Sequence, residues 1–208
     1  MSLNTTTKKI GILGGAFNPI HIGHIEIANA VINNTDCDEI WFLVSFNPPH
    51  KNLKDVGEYK HRYNMVKLAT DINKHFIVSD IEYQLYKDNI YDVNSSYNVM
   101  SYITNKYPDN VFNIIIGYDE LLDIESWKNY QKLLNEYSFI IIKRTHYNVD
   151  QSFINELKEK FDFKYTLLDV KTSPCSSTDI RNELKETNKS IYLDNKVLDY
   201  IINNNLYN

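Results

Sequence analysis

Two histidines, His21 and His24, follow a short apolar run and the glycine pair Gly14-Gly15 near the start of the chain. Adjacent glycines let the backbone turn tightly and approach a ligand closely. Their spacing places both imidazoles on one face at the start of a predicted helix, where free backbone N–H groups and the helix dipole favour an anion. Imidazole and N–H donors could stabilise charge that develops on a phosphoryl group. The segment therefore predicts a phosphate site.

A second polar segment lies near the other end of the chain, at residues 176–181, which read S-S-T-D-I-R. Ser176, Ser177 and Thr178 supply hydroxyl groups and a natural N-cap for a helix. Arg181 follows one turn later, where its guanidinium can bind phosphate oxygens in a forked geometry. Taken alone, the segment is more typical of an ordinary capped helix with a solvated arginine.

Other sites are less compatible with the first segment. No Gly-Lys-Ser/Thr follows the glycines, and the glycines do not have the G-x-G-x-x-G spacing of a dinucleotide fingerprint. A zinc site needs three or four ligands, and no cysteine lies nearby in the sequence. We therefore predict no protein-held metal here, while buried core histidines remain the simple alternative.

The elements that must position these residues are apolar runs alternating with stretches of helical periodicity. The predicted strands are residues 10–13, 40–44, 76–78, 111–116, 139–142 and 165–170, and the predicted helices are 24–32, 59–70, 97–105, 119–135 (as one helix or two), 152–160 and 178–202 with a break near Asn188. Residues 84–95 are interpreted as a surface loop. Strand–helix alternation with strands apolar on both faces predicts an α/β fold, a doubly wound Rossmann-like parallel sheet with helices on both faces. Ligands bind such folds beyond the carboxyl ends of the strands.

Composition sets the class of protein. The 208 residues carry 22 Lys+Arg against 27 Asp+Glu, a net charge of −5, and 43% are hydrophobic. This is the balance of one globular domain, so we expect a single domain over residues 1–208. The acidic charge argues against a nucleic-acid binder, and no apolar run reaches the ~20 residues of a membrane span. Cys37 and Cys175 form no disulfide or metal pattern, which favours a reducing, cytoplasmic setting.

Residues 14–24 (G-G-A-F-N-P-I-H-I-G-H) resemble the opening motif of the nucleotidyltransferases with an H-x-G-H signature, and residues 176–181 resemble the S-S-T-x-I-R signature of the same superfamily. Between them the chain is similar to bacterial-type nicotinate or nicotinamide mononucleotide adenylyltransferases, over residues 10 to about 202. The matching segments are Pro48-Pro49-His50-Lys51, the R-x-x-M-x-x-L-A pattern from Arg62, Ser96-Tyr97-Asn98, Gly117-Tyr118-Asp119 with Trp127-Lys128, and a strand ending in Arg144.

The resemblance implies a role for each matching residue. Catalysis would rest on His21, His24 and Arg181. ATP, accompanied by Mg²⁺ held mainly through its phosphates, would contact Gly14, Gly15, Ala16, Phe17, His21, Gly23, His24, Gly117, Asp119, Ser176, Ser177 and Arg181. The mononucleotide would contact Asn18, Lys51, Tyr97, Asn98, Trp127 and Arg144. Simpler readings stay open for some of them: Lys51 as a solvated lysine, Asp119 as an N-cap, Trp127 as core packing and Arg144 as the partner of a surface acid.

The chain departs from the family pattern where the pyridine substituent should be recognised. The usual S-Y-T-x-D-T carries Asn98, Met100 and Ser101 here, so the choice between acid and amide substrate stays open. Two other functions also stay open: a pantetheine-phosphate adenylyltransferase, which shares H-x-G-H, and a non-catalytic nucleotide sensor. The sequence is compatible with a homo-oligomer and does not settle its order.

Overall fold

The computed structural model describes residues 7–48, 56–89, 95–144 and 149–207. Its six strands are β1 Lys9–Gly15, β2 Glu39–Val44, β3 Phe76–Ser79, β4 Val111–Gly117, β5 Ser138–Arg144 and β6 Lys164–Val170. Its helices are α1 Ile22–Asn34, α2 Tyr59–Thr70, α3 Ile81–Lys87, α4 Ser96–Lys106, α5 Tyr118–Leu122, α6 Tyr130–Glu136, α7 Gln151–Lys160, α8 Ser177–Thr187 and α9 Asn195–Asn203, with a 3₁₀ turn at Ile124–Ser126. No helix of these described ranges is long and apolar enough to cross a membrane.

All strand pairs in the sheet are parallel, and the strand order is β3-β2-β1-β4-β5-β6. The chain moves outward in one direction from β1 to β3 and in the other from β4 to β6. The direction therefore reverses between β1 and β4, where Leu13 lies opposite Ile115 on one side and Phe42 on the other. A crevice forms beyond the carboxyl ends of strands at such a reversal, which places the ends of β1 and β4 beside the expected ligand site.

Alternate residues of the strands pack into two separate cores, because successive side chains point to opposite faces of a sheet. In β4, Ile115 lies in the first core, together with residues of α1, α2, α8 and α9. Ile114 and Ile116 lie in the second core, together with residues of α3 to α7. Both faces are thus covered, and this burial accounts for strands that are apolar throughout. The doubly wound α/β fold predicted from the sequence is confirmed.

Most elements agree with the sequence-based prediction within two or three residues. The sequence predicts one helix or two over residues 119–135, and the structure has two short helices, α5 and α6, separated by the 3₁₀ turn. The interpretation of residues 84–95 as a loop is wrong for its first part, since α3 continues to Lys87. Leu85 of this helix is buried in the second core, and this tertiary contact stabilises a helix too short to form alone.

Candidate active site

The two histidines lie where the loop after β1 enters α1. His21 is the N-cap of the helix, with an extended backbone, and His24 lies one turn further on. The backbone N–H of His21 donates to Nδ1 of His24 at 3.2 Å, and the ring centroids lie 3.8 Å apart. Phe17 packs edge-on against His24 at 5.1 Å. A neutral His24 whose Nδ1 accepts must carry its proton on Nε2, which makes Nε2 a donor.

The prediction that free backbone N–H groups surround these histidines is wrong. The N–H of Ile22 donates to the carbonyl of Tyr192 at 2.9 Å, and the N–H of His24 donates to the carbonyl of His21 at 3.0 Å. The N–H of Gly23 donates to the sulfur of Cys175. Tyr192 and Cys175, both distant in the chain, take up two of these donors, and the neighbouring His21 takes up the third, so side chains are the donors left for an anion at this end of α1.

The segment at the start of α8 docks directly on the loop between β1 and α1. Nη1 of Arg181 donates to the carbonyl oxygen of Asn18 at 2.8 Å, and Oγ of Ser177 donates to that of Pro19 at 2.9 Å. Ser176 is the N-cap of α8, as its residue type predicts, and accepts from the N–H of Asp179. The two polar segments, more than 150 positions apart, therefore meet in space.

A small cleft lies at the start of α1, next to His21. Its lining consists of His21, Gly23, His24, Ile27, Arg144, Thr172, Ser173 and Cys175. Among the described residues, Arg181 is not part of this lining, because its guanidinium is held against Asn18 and Oγ1 of Thr178. Arg144 brings a positive charge to the cleft, and its Nε is buried with no hydrogen-bond partner among the described residues.

The imidazole of His21 is held in its neutral form. Burial lowers its pKa to about 4, and the charge of Arg144 acts in the same direction. At neutral pH the ring therefore has one donor and one acceptor nitrogen and carries no charge. Its contribution to an anion site must be a directed N–H donor.

Among the glycines predicted to contact ATP, Gly23 and Gly15 have a steric reason in this structure, and Gly14 borders open space. A Cβ on Gly23 would lie 3.2 Å from Cε1 and Nδ1 of His21 and 3.6 Å from the sulfur of Cys175, so any side chain there would crowd the imidazole. A Cβ on Gly14 would meet no atom within 4 Å, which shows open space beside the end of β1. Gly15 packs against the ring of Phe17, and the backbone of Phe17 has a φ of 46°, in the left-handed region.

Asn18, predicted to contact a mononucleotide, has a structural use. It is 1% exposed, and its side-chain oxygen accepts from the N–H of Gly57 at 3.1 Å and from the hydroxyl of Tyr207 at 2.8 Å. These bonds join the loop after β1 to the entry of α2 and to the end of the chain. A direct contact between Asn18 and a ligand stays a prediction.

Arg62 has no function predicted from the sequence, and among the described residues it is the largest side chain that is fully buried. Its guanidinium donates to the carbonyl oxygens of Ala16, Ser45, Phe46 and Gly57 at 2.7 to 3.1 Å. It thereby ties together the loops that follow β1 and β2. Burial lowers the pKa of Arg62, and the four carbonyls compensate in part for the loss of water. Its only signal in the sequence was the R-x-x-M-x-x-L-A pattern.

Glu26 is a second missed residue. Its two carboxylate oxygens accept from the N–H and the Oγ of Ser173, at 2.6 and 2.7 Å. This pair fixes the segment after β6, which lines the cleft, to the first helix. Nothing in the sequence links the two residues, since 147 positions separate them.

Gly117 and Asp119, predicted to contact ATP, lie at the start of α5, directly after β4. Gly117, and not Asp119, is the N-cap of α5, so the interpretation of Asp119 as an N-cap is wrong. The carboxylate of Asp119 lies over Gly117, where a Cβ would collide with it.

Tyr97 and Trp127, predicted to contact the mononucleotide, pack against the core formed with α3 to α7. Trp127 is half-buried against this second core. The hydroxyl of Tyr97 on α4 donates to Glu136 on α6 at 3.1 Å. Asn98 lies half-buried on α4, while Lys51 lies outside the described residues.

Comparisons with known proteins agree on one family. Residues 12–183 match the model of the cytidylyltransferase-like family. A protein of Lachnoclostridium phytofermentans named probable nicotinate-nucleotide adenylyltransferase is 36% identical over 96% of this chain and 99% of its own. A Cytophaga hutchinsonii protein of the same name is 36% identical over 93% of this chain and 95% of its own.

Solved structures agree. The structure of Plasmodium falciparum nicotinic acid mononucleotide adenylyltransferase complexed with APC superposes with a TM-score of 0.77 at 27% identity, covering 96% of this chain and 97% of that one. The same enzyme complexed with NaAD gives a TM-score of 0.75 at 26% identity, with the same coverage. The chain belongs to the nicotinate-nucleotide adenylyltransferases, nucleotidyltransferases of the cytidylyltransferase-like family.

Proposed function

We propose that this protein transfers AMP from ATP to nicotinate mononucleotide, giving the adenine dinucleotide and pyrophosphate in NAD biosynthesis. The observation that carries the proposal is the contact between the two polar segments, through Arg181 and Asn18 and through Ser177 and Pro19. The names of its relatives support nicotinate as the base of the second substrate.

ATP would lie beyond the end of β1, in the open space beside Gly14, with its triphosphate toward His21 and His24. The backbone N–H groups at the start of α1 have partners, so the two imidazoles would be the donors on this side. Arg181 would approach the triphosphate from α8. Its guanidinium has five N–H donors, so it can hold Asn18 and Thr178 and still donate to phosphate.

The reaction needs no nucleophile from the protein. A phosphate oxygen of the mononucleotide attacks the α-phosphorus of ATP; a new phosphorus–oxygen bond forms, the bond to the bridging oxygen of the β-phosphate breaks, and pyrophosphate leaves with the electron pair. The attacking phosphate is already ionised at neutral pH, since its second pKa is near ~6. Neutral imidazole and guanidinium donors would stabilise charge on the transferring group, and positioning would supply much of the acceleration.

Mg²⁺ would accompany ATP and neutralise part of the triphosphate charge. Within the described ranges, the chain holds no cluster of three or more histidine, cysteine, aspartate or glutamate side chains that could hold a metal. The ligands of this cation would be phosphate oxygens and water. The chain's own part would be to orient the phosphates that carry it.

The mononucleotide would occupy the side of β4 that carries Tyr97 and Trp127, while Asp119, at the start of α5, would contact ATP. Tyr97 is oriented by Glu136, and the exposed part of Trp127 offers an aromatic face for a pyridine ring. Arg144 has a different environment from these residues, since it lines the cleft with His21. We propose that it contacts phosphate rather than the pyridine ring.

The test is pyrophosphate release by the pure protein with ATP, Mg²⁺ and nicotinate mononucleotide, with the dinucleotide identified by mass spectrometry. Nicotinamide mononucleotide and pantetheine phosphate serve as competing acceptors in parallel reactions. The proposal predicts the highest kcat/KM for nicotinate mononucleotide. Turnover of pantetheine phosphate alone, or tight ATP binding with no turnover of any acceptor, would refute it.

A further inference from the structure

We propose that Cys175 is a positioning residue for His21: its thiol donates to Nδ1 of the imidazole and thereby holds the ring proton on Nε2, ready to donate to phosphate. The inference rests on the proposed function, because it names the part that this cysteine plays in the same site. The hydrogen bond itself can be tested without any assay of turnover.

The sulfur of Cys175 lies between two groups at the start of α1. It is 3.4 Å from Nδ1 of His21, and it accepts from the backbone N–H of Gly23. Sulfur is a weak donor and a weak acceptor, so one thiol can serve both contacts. The missing side chain at Gly23 makes this approach available, since a Cβ there would lie 3.6 Å from the sulfur.

The segment that carries Cys175 is itself fixed. The N–H of Cys175 donates to the carbonyl of Ser173 at 2.9 Å, and Ser173 is held by both oxygens of Glu26. On the following side, Ser177 is bonded to Pro19. The thiol therefore has a defined position relative to His21, as a positioning group requires.

The charges around the pair favour a neutral thiol and a neutral imidazole. Burial raises the pKa of the Cys175 thiol, and the carboxylates of Glu26 and Asp179 raise it further, against the opposing effects of Gly23 and Arg144. Burial and Arg144 lower the pKa of His21. The pair is thus S–H and neutral imidazole, so the thiol keeps a proton that it can donate to Nδ1. We assign sulfur as the donor, and the reverse direction, with Nδ1–H donating to sulfur, is what the tautomer measurement below would detect.

The consequence is that both histidines present the same nitrogen as donor. Nδ1 of His24 accepts from the N–H of His21, and in the direction assigned here Nδ1 of His21 accepts from the thiol of Cys175, 3.4 Å away. Each ring therefore carries its proton on Nε2. With no donor at position 175, the His21 proton could move to Nδ1, and Nε2 would then turn a lone pair toward the phosphate.

Two substitutions separate hydrogen bonding from packing. Cys175→Ser keeps a donor but is smaller and more polar, whereas Cys175→Val fills similar volume and has no donor. We predict that Cys175→Val lowers kcat about 3- to 10-fold, the effect of losing one neutral hydrogen bond, while Cys175→Ser retains more activity. Cys175→Ala, which also lacks a donor, should behave like Cys175→Val. Cys37→Val is the matched control, because Cys37 is a buried thiol that lies before the amino end of β2. Cys175 lies after the carboxyl end of β6, so the two thiols are at opposite ends of the strands.

The second readout is the ¹⁵N spectrum of the His21 ring, assigned by its loss in His21→Gln and recorded without substrate. We expect the Nε2–H tautomer in the wild type and in Cys175→Ser, and a mixture of tautomers in Cys175→Val and Cys175→Ala. Unchanged tautomers in both donor-free variants, or higher activity in Cys175→Val than in Cys175→Ser, would overturn the inference. If the wild type shows the Nε2–H tautomer and no turnover, the proposed function fails and the hydrogen bond stands.

Discussion

Nη1 of Arg181 donates to the carbonyl oxygen of Asn18 at 2.8 Å, although 163 positions separate the two residues. The bond joins the first turn of α8 to the loop between β1 and α1, at the reversal of strand order. Thr178 fixes the second terminal nitrogen of the guanidinium at 3.2 Å. Arg181 is therefore oriented before any ligand binds, and orientation in advance reduces the entropy lost on binding.

Arg181→Lys tests this orientation. Lysine keeps the charge, but its single nitrogen cannot hold the Asn18 carbonyl and a phosphate as a planar fork can. We expect kcat/KM to fall about tenfold or more, with little change in Tm. Lys185→Ala, an exposed change on the same helix, is the control and should leave kcat/KM unaltered. Equal kinetics for Arg181→Lys and the wild type would exclude a forked contact.

His24→Ala should reduce turnover sharply while the fold is retained. Removing one donor from a transition-state site typically costs ~10²- to 10³-fold in kcat. His24 is half-buried, and its loss leaves the core intact. Steady-state kinetics with circular dichroism check both expectations. His75→Ala serves as the control, because His75 lies before β3 and does not line the cleft. Near-normal turnover of His24→Ala would refute the proposed role of His24.

Arg62→Met should destabilise the protein without removing a catalytic group. The four carbonyls that Arg62 binds would lose their donor in a buried place, so we expect a loss of ~3 kcal/mol in the free energy of unfolding. Urea denaturation measures it, and Lys60→Met on the same helix, at an exposed position, is the control. A change within about 0.5 kcal/mol, as at a surface site, would contradict the structural role.

Glu82 should make stability depend on pH. Its carboxylate accepts from the N–H of Phe46 at 2.9 Å, yet burial raises its pKa from 4.5 to about 7. Between these values the folded protein binds more protons than the unfolded one, so the contribution of Glu82 to stability falls as pH rises from 4.5 through 7. Glu82→Gln should therefore stabilise the protein more at pH 8 than at pH 5. Urea midpoints at the two pH values decide this, and an equal difference at both would contradict the shift.

The sheet could be predicted from the sequence because its strands are buried on both faces. A run such as residues 111–116 has one physical explanation in a chain of this composition, a strand covered by helices. The convergence of the two polar segments could also be predicted, since both follow strands whose carboxyl ends lie at one edge of the sheet. The whole of α3 was missed because a two-turn helix with polar residues has little periodicity of its own.

What could not be predicted depends on partners far away in the chain. The N–H groups of Ile22 and Gly23 are free in an isolated helix, and only the folded chain brings Tyr192 and Cys175 to them. In the same way, an arginine in a helix is ordinarily solvated, and nothing local shows that Arg62 is buried among four carbonyls. Sequence patterns predict elements well, but hydrogen bonds between elements require the fold.

The most direct measurement is a crystal structure of the protein with a non-hydrolysable ATP analogue, Mg²⁺ and nicotinate mononucleotide. We predict that the triphosphate lies beyond the end of β1, with phosphate oxygens within ~3.2 Å of Nε2 of His24 and of the guanidinium of Arg181. A triphosphate that contacts neither residue, or contacts only one while the other faces a separate surface, would contradict the proposal. The proposed reaction depends on His24 and Arg181 binding the same triphosphate.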